Sequence, residues 1–190
     1  MLRLMAIRRG MSVLDLGGTP SIWADEELPD LEITILNLPE ASARAEKSRH
    51  TFQYVEGDAC GVEGISDRSF DMVFSNSVIE HVGDFGRQMA FAHEVRRLGR
   101  SYWVQTPSIW FPIEAHTGMP FWWAYPVVLQ RYFINRWRKK LPAWTDMVEA
   151  TTVLRKSDME KLFPDAQIMV ERMFGIPKSY VAFSAERVRT

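Results

Sequence analysis

The sequence predicts an α/β fold with a mostly parallel β-sheet, and three observations support this prediction. Short apolar, β-branched segments alternate with segments of helical spacing, as in βαβ units. The first such segment, Ser12–Leu16, runs into Gly17 and Gly18, and glycine permits a sharp turn and a close approach to a ligand. Polar residues follow four of the predicted strands, at the edge where open α/β sheets bind ligands.

Five strands are predicted before residue 107, because each apolar segment there ends in a turn signal. They cover residues 12–16, 31–38, 51–56, 70–75 and 101–106. A short helix is predicted over 21–28, with Thr19 as its cap and Pro20 in its first turn, and another over 40–48.

The helix predicted over 84–97 has an apolar stripe at helical spacing. The residues expected on its buried face are Phe85, Met89, Ala92 and Val95. Farther along, residues 157–160 match a capping box for a helix that ends at Phe163. Residues 166–173 and 179–186 are predicted to form an antiparallel pair of strands.

Residues 107–150 interrupt the alternating pattern and contain five of the seven tryptophans. Residues 115–145 hold five cations and no acid. We expect a single domain over 1–190 with an insertion at about 107–150. This insertion is either a lid that packs its aromatic side chains on the core, or a surface for an amphiphilic or anionic acceptor, including peripheral membrane contact through 121–140.

Composition narrows the possible locations and partners of the chain. The net charge of −1 and the lack of a recognition motif argue against nucleic acid binding. Residues 1–10 carry three arginines and run directly into a strand, which is unlike a signal peptide, and leaves open whether a preceding helix is missing. With Cys60 as the single cysteine, we expect a cytoplasmic protein, with peripheral contact at the inner face of the membrane as a further expectation.

The strand-end residues suit a ligand that contains a nucleoside. Asn37 lies at the end of the second strand and could bond a ribose hydroxyl. Asp58 follows the third strand and could accept from an exocyclic amine. Any one of these residues could equally be a solvated turn residue. Four such strand ends in succession are harder to explain in that way.

The order of VLDLGG, ITILNL, VEGDA, SFDMVFSNSVIEHV and RSYWVQTP resembles class I S-adenosylmethionine-dependent methyltransferases, of the small-molecule type with a methyltransferase 11-like domain. The resemblance covers roughly residues 12–107. It implies a Rossmann-like, seven-stranded, mostly parallel sheet with helices on both faces and a C-terminal antiparallel hairpin. It also implies S-adenosylmethionine as the cofactor.

The resemblance assigns cofactor roles to residues at the strand ends. Asp15 and Gly17 would border the methionine part, Asp58 would meet the adenine amine, Ala59 would lie beside the ring, and Asn76 would lie along the methionine moiety. The full expected cofactor set is Asp15, Gly17, Gly18, Thr19, Asn37, Leu38, Asp58, Ala59 and Asn76.

Three positions depart from the family pattern. Thr19 and Ser21 stand where alternating glycines are usual, and Asn37 replaces the acid that usually ends the second strand. An amide lacks the charge-assisted bond of a carboxylate, which is roughly twice as strong as a neutral one. These departures support an alternative in which the chain is a non-catalytic, methyltransferase-like binding or partner subunit.

Methyl transfer needs a general base only when the acceptor must lose a proton, as a hydroxyl does. Histidine is the natural candidate, since its unperturbed pKa is near 6.5. His81 follows the fourth strand, and His116 lies in the insertion. Either one could be a structural residue instead. Glu80 is expected to make a structural bond, and His50 and His93 are expected at surface or helix positions.

No metal site is expected, because Glu80-His81 and Glu114 with His116 are short pairs without fixed geometry. The sequence therefore predicts methyl transfer from S-adenosylmethionine to a small-molecule or lipid-linked, amphiphilic acceptor. An oxygen is the expected acceptor atom.

Overall fold

A computed structural model describes residues 2–24, 27–38, 49–114 and 117–185. Seven strands form one sheet in the order β3-β2-β1-β4-β5-β7-β6. Their bounds are β1 Ser12–Leu16, β2 Glu32–Asn37, β3 Thr51–Glu56, β4 Phe70–Asn76, β5 Gly99–Pro107, β6 Gln167–Met173 and β7 Ile176–Ser184. The five strands from β3 to β5 are parallel, and β7 runs antiparallel to both of its neighbours.

This is the predicted Rossmann-like sheet with its C-terminal antiparallel pair. The described helices are α1 Leu2–Met5, α2 Phe85–Leu98, α3 Val127–Arg138, α4 Pro142–Ala150 and α5 Lys156–Leu162. Among the described residues, no helix is both long enough and apolar enough to span a bilayer. The helix predicted over 40–48 lies outside the described residues.

The sheet is buried on both faces because its strands alternate between two apolar clusters. Leu14 and Leu16 of β1 face the cluster that contains α2 and α5, whereas Val13 faces the cluster that contains Trp23. The chain turns from β1 toward β2 on one side and from β4 toward β5 on the other. Because β1 and β4 are neighbours, the strand order reverses between them, and ligands bind at such a reversal.

Helix α2 begins after Asp84, whose carboxylate accepts the backbone N–H of Arg87 at 2.9 Å. The predicted buried face of this helix was partly wrong, because Phe85 and Met89 are exposed. The buried stripe consists of Gln88, Phe91, Ala92, Glu94, Val95 and Leu98. Because Gln88 and Glu94 are polar, a search for apolar residues at helical spacing does not find this stripe.

Of the helix predicted over 21–28, the residues that the structure describes form a single 3₁₀ turn, Pro20–Trp23. Thr19 precedes it without capping it, since its hydroxyl bonds Ser21 Oγ at 2.8 Å. His50, expected at the surface, is instead buried. It accepts the backbone N–H of Leu31 at Nδ1 (3.2 Å) and donates from Nε2 to the carbonyl of Trp23 at 2.9 Å.

The insertion contains a 3₁₀ turn, Trp122–Ala124, followed by the helices α3 and α4, which pack on each other. Its aromatic side chains form a small core of their own around Trp122, Ile134 and Val148. Arg138 ties the two helices together through ion pairs with Asp146 and Glu149.

The C-terminal elements differ from prediction mainly at their ends. Helix α5 begins at Lys156, where the Asp158 carboxylate accepts the backbone N–H of Arg155 at 2.9 Å, so Ser157 is not its cap. The final strands cover 167–173 and 176–184. The last one starts earlier than predicted because the turn between them is tight.

Candidate functional site

The loop after β1 approaches its neighbours so closely that only glycine fits. Gly17 has a φ of +75°, and a Cβ there would lie 2.7 Å from Cγ1 of Val78. A Cβ on Gly18 would overlap the carboxyl group of Asp15. The predicted glycine turn is therefore packed on both sides, against the loop that follows β4 and against the acid that precedes it.

Asp15 lies beneath this loop and is fully buried. Its Oδ2 accepts from Nε1 of Trp23 at 2.7 Å, and its Oδ1 has no hydrogen-bond partner among the described residues. Burial raises the pKa of Asp15 from 3.8 to about 7. Asp15, Gly18 and Thr19 support the loop and do not line either of the cavities described next.

A cavity of about 340 Å³, here called the glycine-loop cavity, opens at the carboxyl edge of β1, β2 and β3. Its lining residues are Gly17, Leu36, Asn37, Leu38, Gly57, Asp58, Ala59, Ser77, Val78, His81, Val82 and Arg87. Five of the predicted cofactor residues, Gly17, Asn37, Leu38, Asp58 and Ala59, are therefore brought together here. Asn37 also holds the loop, because its Nδ2 donates to the carbonyl of Gly18 at 3.2 Å.

Asp58 is the acidic residue that lines this cavity, and its carboxylate already accepts hydrogen bonds from two neighbouring residues. It accepts the backbone N–H of Cys60 at 2.9 Å and Nη2 of Arg87 at 2.9 and 2.7 Å. The Cys60 N–H bond, and then the Arg87 guanidinium, hold the pKa of Asp58 below its ordinary value despite partial burial. Asp58 is therefore an ionised acceptor at neutral pH.

A second cavity of about 530 Å³, here called the aromatic cavity, lies at the carboxyl ends of β4 and β5, beside the first residues of the antiparallel strand β7. Aromatic side chains of Trp103, Phe111 and Trp123 line it. Its other lining residues are Asn76, Ser77, Gln105, Pro107, Ser108, Ile113, Glu114, Gly118, Val153, Glu171, Lys178 and Ser179. Asn76, predicted beside the methionine moiety, lines this cavity and not the glycine-loop cavity.

Ser77 lines both cavities and so forms their shared wall. It has a φ of +56°, in the left-handed region that non-glycine residues rarely adopt. Gln105 of β5 stabilises this conformation, since Ser77 donates from its backbone N–H to the Gln105 carbonyl at 3.0 Å and from Oγ to Oε1 at 2.9 Å. Ser77 is not among the site residues predicted from the sequence.

Of the two predicted catalytic histidines, His81 lies in the wall of the glycine-loop cavity. Its Nδ1 is 3.1 Å from Oγ1 of Thr151, which itself donates to the carbonyl of Met147 at 2.8 Å. The imidazole is thus anchored to the end of the insertion. His116 lies outside the described residues.

Glu80 makes the predicted structural bond. Its Oε2 accepts from the Thr106 hydroxyl at 3.0 Å, and its carbonyl accepts from the backbone N–H of Thr152 at 2.7 Å. Burial raises the pKa of the Cys60 thiol to about 11, so this thiol is protonated at neutral pH. Within the described ranges, no cluster of three or more His, Cys, Asp or Glu side chains is arranged to hold a metal ion.

The comparisons with known proteins agree with this geometry. A family model described as a methyltransferase domain matches residues 18–101. No curated protein matches the sequence. Three solved structures resemble the fold. They are an S-adenosylmethionine-dependent methyltransferase from Methanosarcina mazei, a protein from Pyrococcus horikoshii, and phosphoethanolamine N-methyltransferase 2 from Haemonchus contortus in complex with S-adenosyl-L-methionine.

The similarity to these structures lies in the fold rather than in the sequence. The Methanosarcina protein is 13% identical with a TM-score of 0.53, and the match covers 93% of this chain and 92% of that one. The Pyrococcus protein is 18% identical with a TM-score of 0.58, and the match covers 96% of this chain and 84% of that one. The Haemonchus enzyme is 18% identical with a TM-score of 0.56, and the match covers 90% of this chain and 37% of that one.

Residues 18–101 match a methyltransferase domain, and the solved structures that share the fold include S-adenosylmethionine-dependent methyltransferases. Both findings favour methyl transfer with S-adenosylmethionine as the cofactor.

The glycine-loop cavity fits this cofactor by its size and by its chemistry. Its volume is in the range of pockets for small ligands, roughly 300–1,000 Å³. Ionised Asp58 offers an acceptor for the adenine amine, with Ala59 and Val82 as apolar neighbours.

Proposed function

We propose that this methyltransferase acts on a small or amphiphilic acceptor bound in the aromatic cavity, and that the acceptor atom is an oxygen. The observation that carries the proposal is the position of Ser77 in the wall of both cavities. When bound, S-adenosylmethionine supplies an activated methyl group on a sulfonium. Positioning of donor and acceptor then provides most of the catalysis.

Ser77 and Gln105 keep the boundary between the cavities in one conformation. Two hydrogen bonds hold Ser77 at its positive φ, and Gln105 itself lines the aromatic cavity. A wall held in this way fixes the distance between two ligands on its opposite sides. Reacting groups must be positioned within a fraction of an ångström, so a rigid wall favours transfer.

The aromatic cavity combines apolar walls with polar groups. Trp103 and Phe111 provide flat apolar surfaces, whereas Glu114, Glu171 and Lys178 provide charges. This mixture suits an acceptor with a polar head and an apolar body. A smaller cavity of about 250 Å³, in the insertion, shares Trp123 with the aromatic cavity and leaves room for a longer apolar tail.

An oxygen acceptor has to lose a proton, and His81 is the group that we propose as the base. It lines the glycine-loop cavity four residues after Ser77, and its Nδ1 contact with Thr151 holds the ring in one orientation. A fixed imidazole is a suitable proton acceptor near neutral pH. His116 stays a second candidate for this role, from the sequence alone.

Transfer of a labelled methyl group tests this proposal. The enzyme would be incubated with methyl-labelled S-adenosylmethionine and a panel of hydroxylated amphiphiles, each paired with the matching amine. We expect label in the hydroxylated compounds and not in the amines. Label only in the amines would contradict oxygen methylation, and cofactor binding without label in any compound would contradict the acceptor class.

We also propose that the protein is cytoplasmic and that it contacts a membrane surface peripherally. A cytoplasmic location is supported by the single cysteine, Cys60. Fractionation of cells that express the full chain would test it. Peripheral membrane contact is argued in the next subsection from the surface of the insertion.

A further inference from the structure

The outer face of α3 carries apolar side chains that no other part of the described chain covers. Val128 is 81% exposed and Tyr132, one helical turn later, is 59% exposed. The opposite face of the same helix packs on α4 through Ile134 and Trp137. Burial of that opposite face explains why α3 folds, but it does not explain the apolar outer face.

Cations flank this apolar stripe on both sides. At about 100° per residue, Arg131 lies to one side of Val128 and Tyr132, Arg136 lies to the other, and Lys139 continues the stripe. Within the described part of the chain, Arg131, Arg136, Lys139 and Lys140 form no ion pair, in contrast to Arg138. The surface is therefore positive as well as apolar.

A second exposed apolar side chain lies in the turn that joins two strands near the aromatic cavity. The turn between β6 and β7 places Phe174 at its tip with 91% of the residue exposed and a φ of +52°. This conformation is unfavourable for a bulky residue, and asparagine or glycine is usual in such a turn. Glu171 and Lys178, on the strands beside this tip, line the aromatic cavity, as does Trp123 just before α3.

We propose that α3 and the β6–β7 turn dock on the surface of a bilayer that contains anionic phospholipids. Exposed aromatic and aliphatic side chains enter the interfacial region of a bilayer, and neighbouring Lys and Arg side chains bind its phosphates. No acid occurs in residues 117–145, so the cations act together on a negative surface. This docking goes beyond the proposed methyl transfer and does not depend on it.

The placement of the two docking elements has a consequence for the aromatic cavity. Residues that flank both elements line that cavity, Trp123 before α3 and Glu171 and Lys178 beside the turn, so docking brings the cavity close to the lipid surface. Val127 and Arg131 of α3 also line the smaller cavity that shares Trp123 with the aromatic cavity. An amphiphile could thus pass from the bilayer toward Ser77 without crossing water.

Sedimentation of the full chain with vesicles tests the docking without cofactor or acceptor. We expect the protein to sediment with vesicles of phosphatidylcholine and phosphatidylglycerol, more weakly at high salt, and hardly at all with pure phosphatidylcholine. R136E/K139E should lower the partition coefficient by roughly tenfold or more, since each cation near such a surface contributes about 1 kcal/mol. V128S/Y132S should lower it as well.

Two control variants make the same chemical changes elsewhere on the surface. R155E/K161E reverses two exposed cations in and beside α5, and F85S/M89S removes two exposed apolar side chains one turn apart on α2. Both controls should sediment like the wild type. The proposal is overturned if the wild type does not bind anionic vesicles, as expected for a protein partner instead, or if test and control variants behave alike.

Discussion

The carboxylate of Asp58 is held by the guanidinium of Arg87, whose Nη2 lies 2.9 Å from Oδ1 and 2.7 Å from Oδ2. Both side chains line the glycine-loop cavity, and both are about half exposed there. Arg87 therefore occupies the acceptor that the adenine amine would use. It keeps Asp58 ionised, and a cofactor has to share or displace this contact.

Replacement of Asp58 by asparagine should weaken cofactor binding by roughly tenfold, since hydrogen bonds to a charged group contribute about 1.5–3 kcal/mol. Calorimetric titration with S-adenosylhomocysteine measures this change. Asp67→Asn is the matched control, because Asp67 also pairs with an arginine, Arg97, but away from both cavities. Equal affinity of both variants and the wild type would remove Asp58 from the cofactor site.

Gly18→Ala should destabilise the fold, because the new Cβ would overlap the carboxyl group of Asp15. Overpacking of this kind costs about 1–3 kcal/mol. Urea denaturation measures the loss, and Gly61→Ala, where a Cβ meets nothing within 4 Å, is the control. The double variant with Asp15→Ala and Gly18→Ala should lose less stability than the sum of the losses in the two single variants. Strict additivity would show that the overlap is relieved elsewhere.

The stability of the protein should depend on pH through Asp15. Folding raises its pKa from 3.8 to about 7, so the folded state holds the proton more tightly. The stabilising contribution is complete below about pH 4, falls as the pH rises from 4 to 7, and is lost above about 7. Asp15→Asn keeps the acceptor for Trp23 without a titrating group.

Urea denaturation at several pH values would measure this contribution as the difference between Asp15→Asn and the wild type. From pH 4 to pH 8, the free energy of unfolding of the variant should rise relative to that of the wild type. The rise should be a few kcal/mol at most, since one pKa unit corresponds to about 1.4 kcal/mol. The difference between the two proteins cancels the opposite trend of Asp58 and Glu94, whose pKa values are lowered. A constant difference across this range would contradict a buried, protonated Asp15.

Much of the sheet could be predicted from sequence because its strands are short apolar segments that end in turn residues. The strand β3 matches its prediction, and the strand β4 differs from its prediction only by Asn76. The stripe of α2 was partly missed because Gln88 and Glu94 are buried polar residues, which apolar spacing cannot reveal. Gln88 is satisfied by the Thr152 carbonyl, 64 positions away in the chain.

The candidate site was predictable only where a residue at a strand end also matches a cofactor position in the family resemblance. Asn37 and Asp58 met that condition and were found. Ser77 and Arg87 were missed, since the role of Ser77 depends on Gln105 in a neighbouring strand and that of Arg87 on a helix packed beside the cavity. The positive φ of Ser77 has no signal in the residue type.

His81→Gln should lower the rate of methyl transfer by roughly a hundredfold or more, the usual contribution of a general base. Affinity for S-adenosylhomocysteine should stay close to that of the wild type. The matched control is His93→Gln, because His93 is an exposed histidine on α2. Steady-state kinetics with a hydroxylated acceptor separates kcat from KM. Normal turnover of the His81 variant would show that another group, such as His116, accepts the proton.

The central claim is that the glycine-loop cavity holds the cofactor and that Ser77 divides it from the acceptor. A crystal structure with S-adenosylhomocysteine tests this claim most directly. The account predicts the adenine beside Asp58 and Ala59 and the sulfur beside Ser77, facing the aromatic cavity. A ligand bound elsewhere, or one whose sulfur faces away from Ser77, would contradict it.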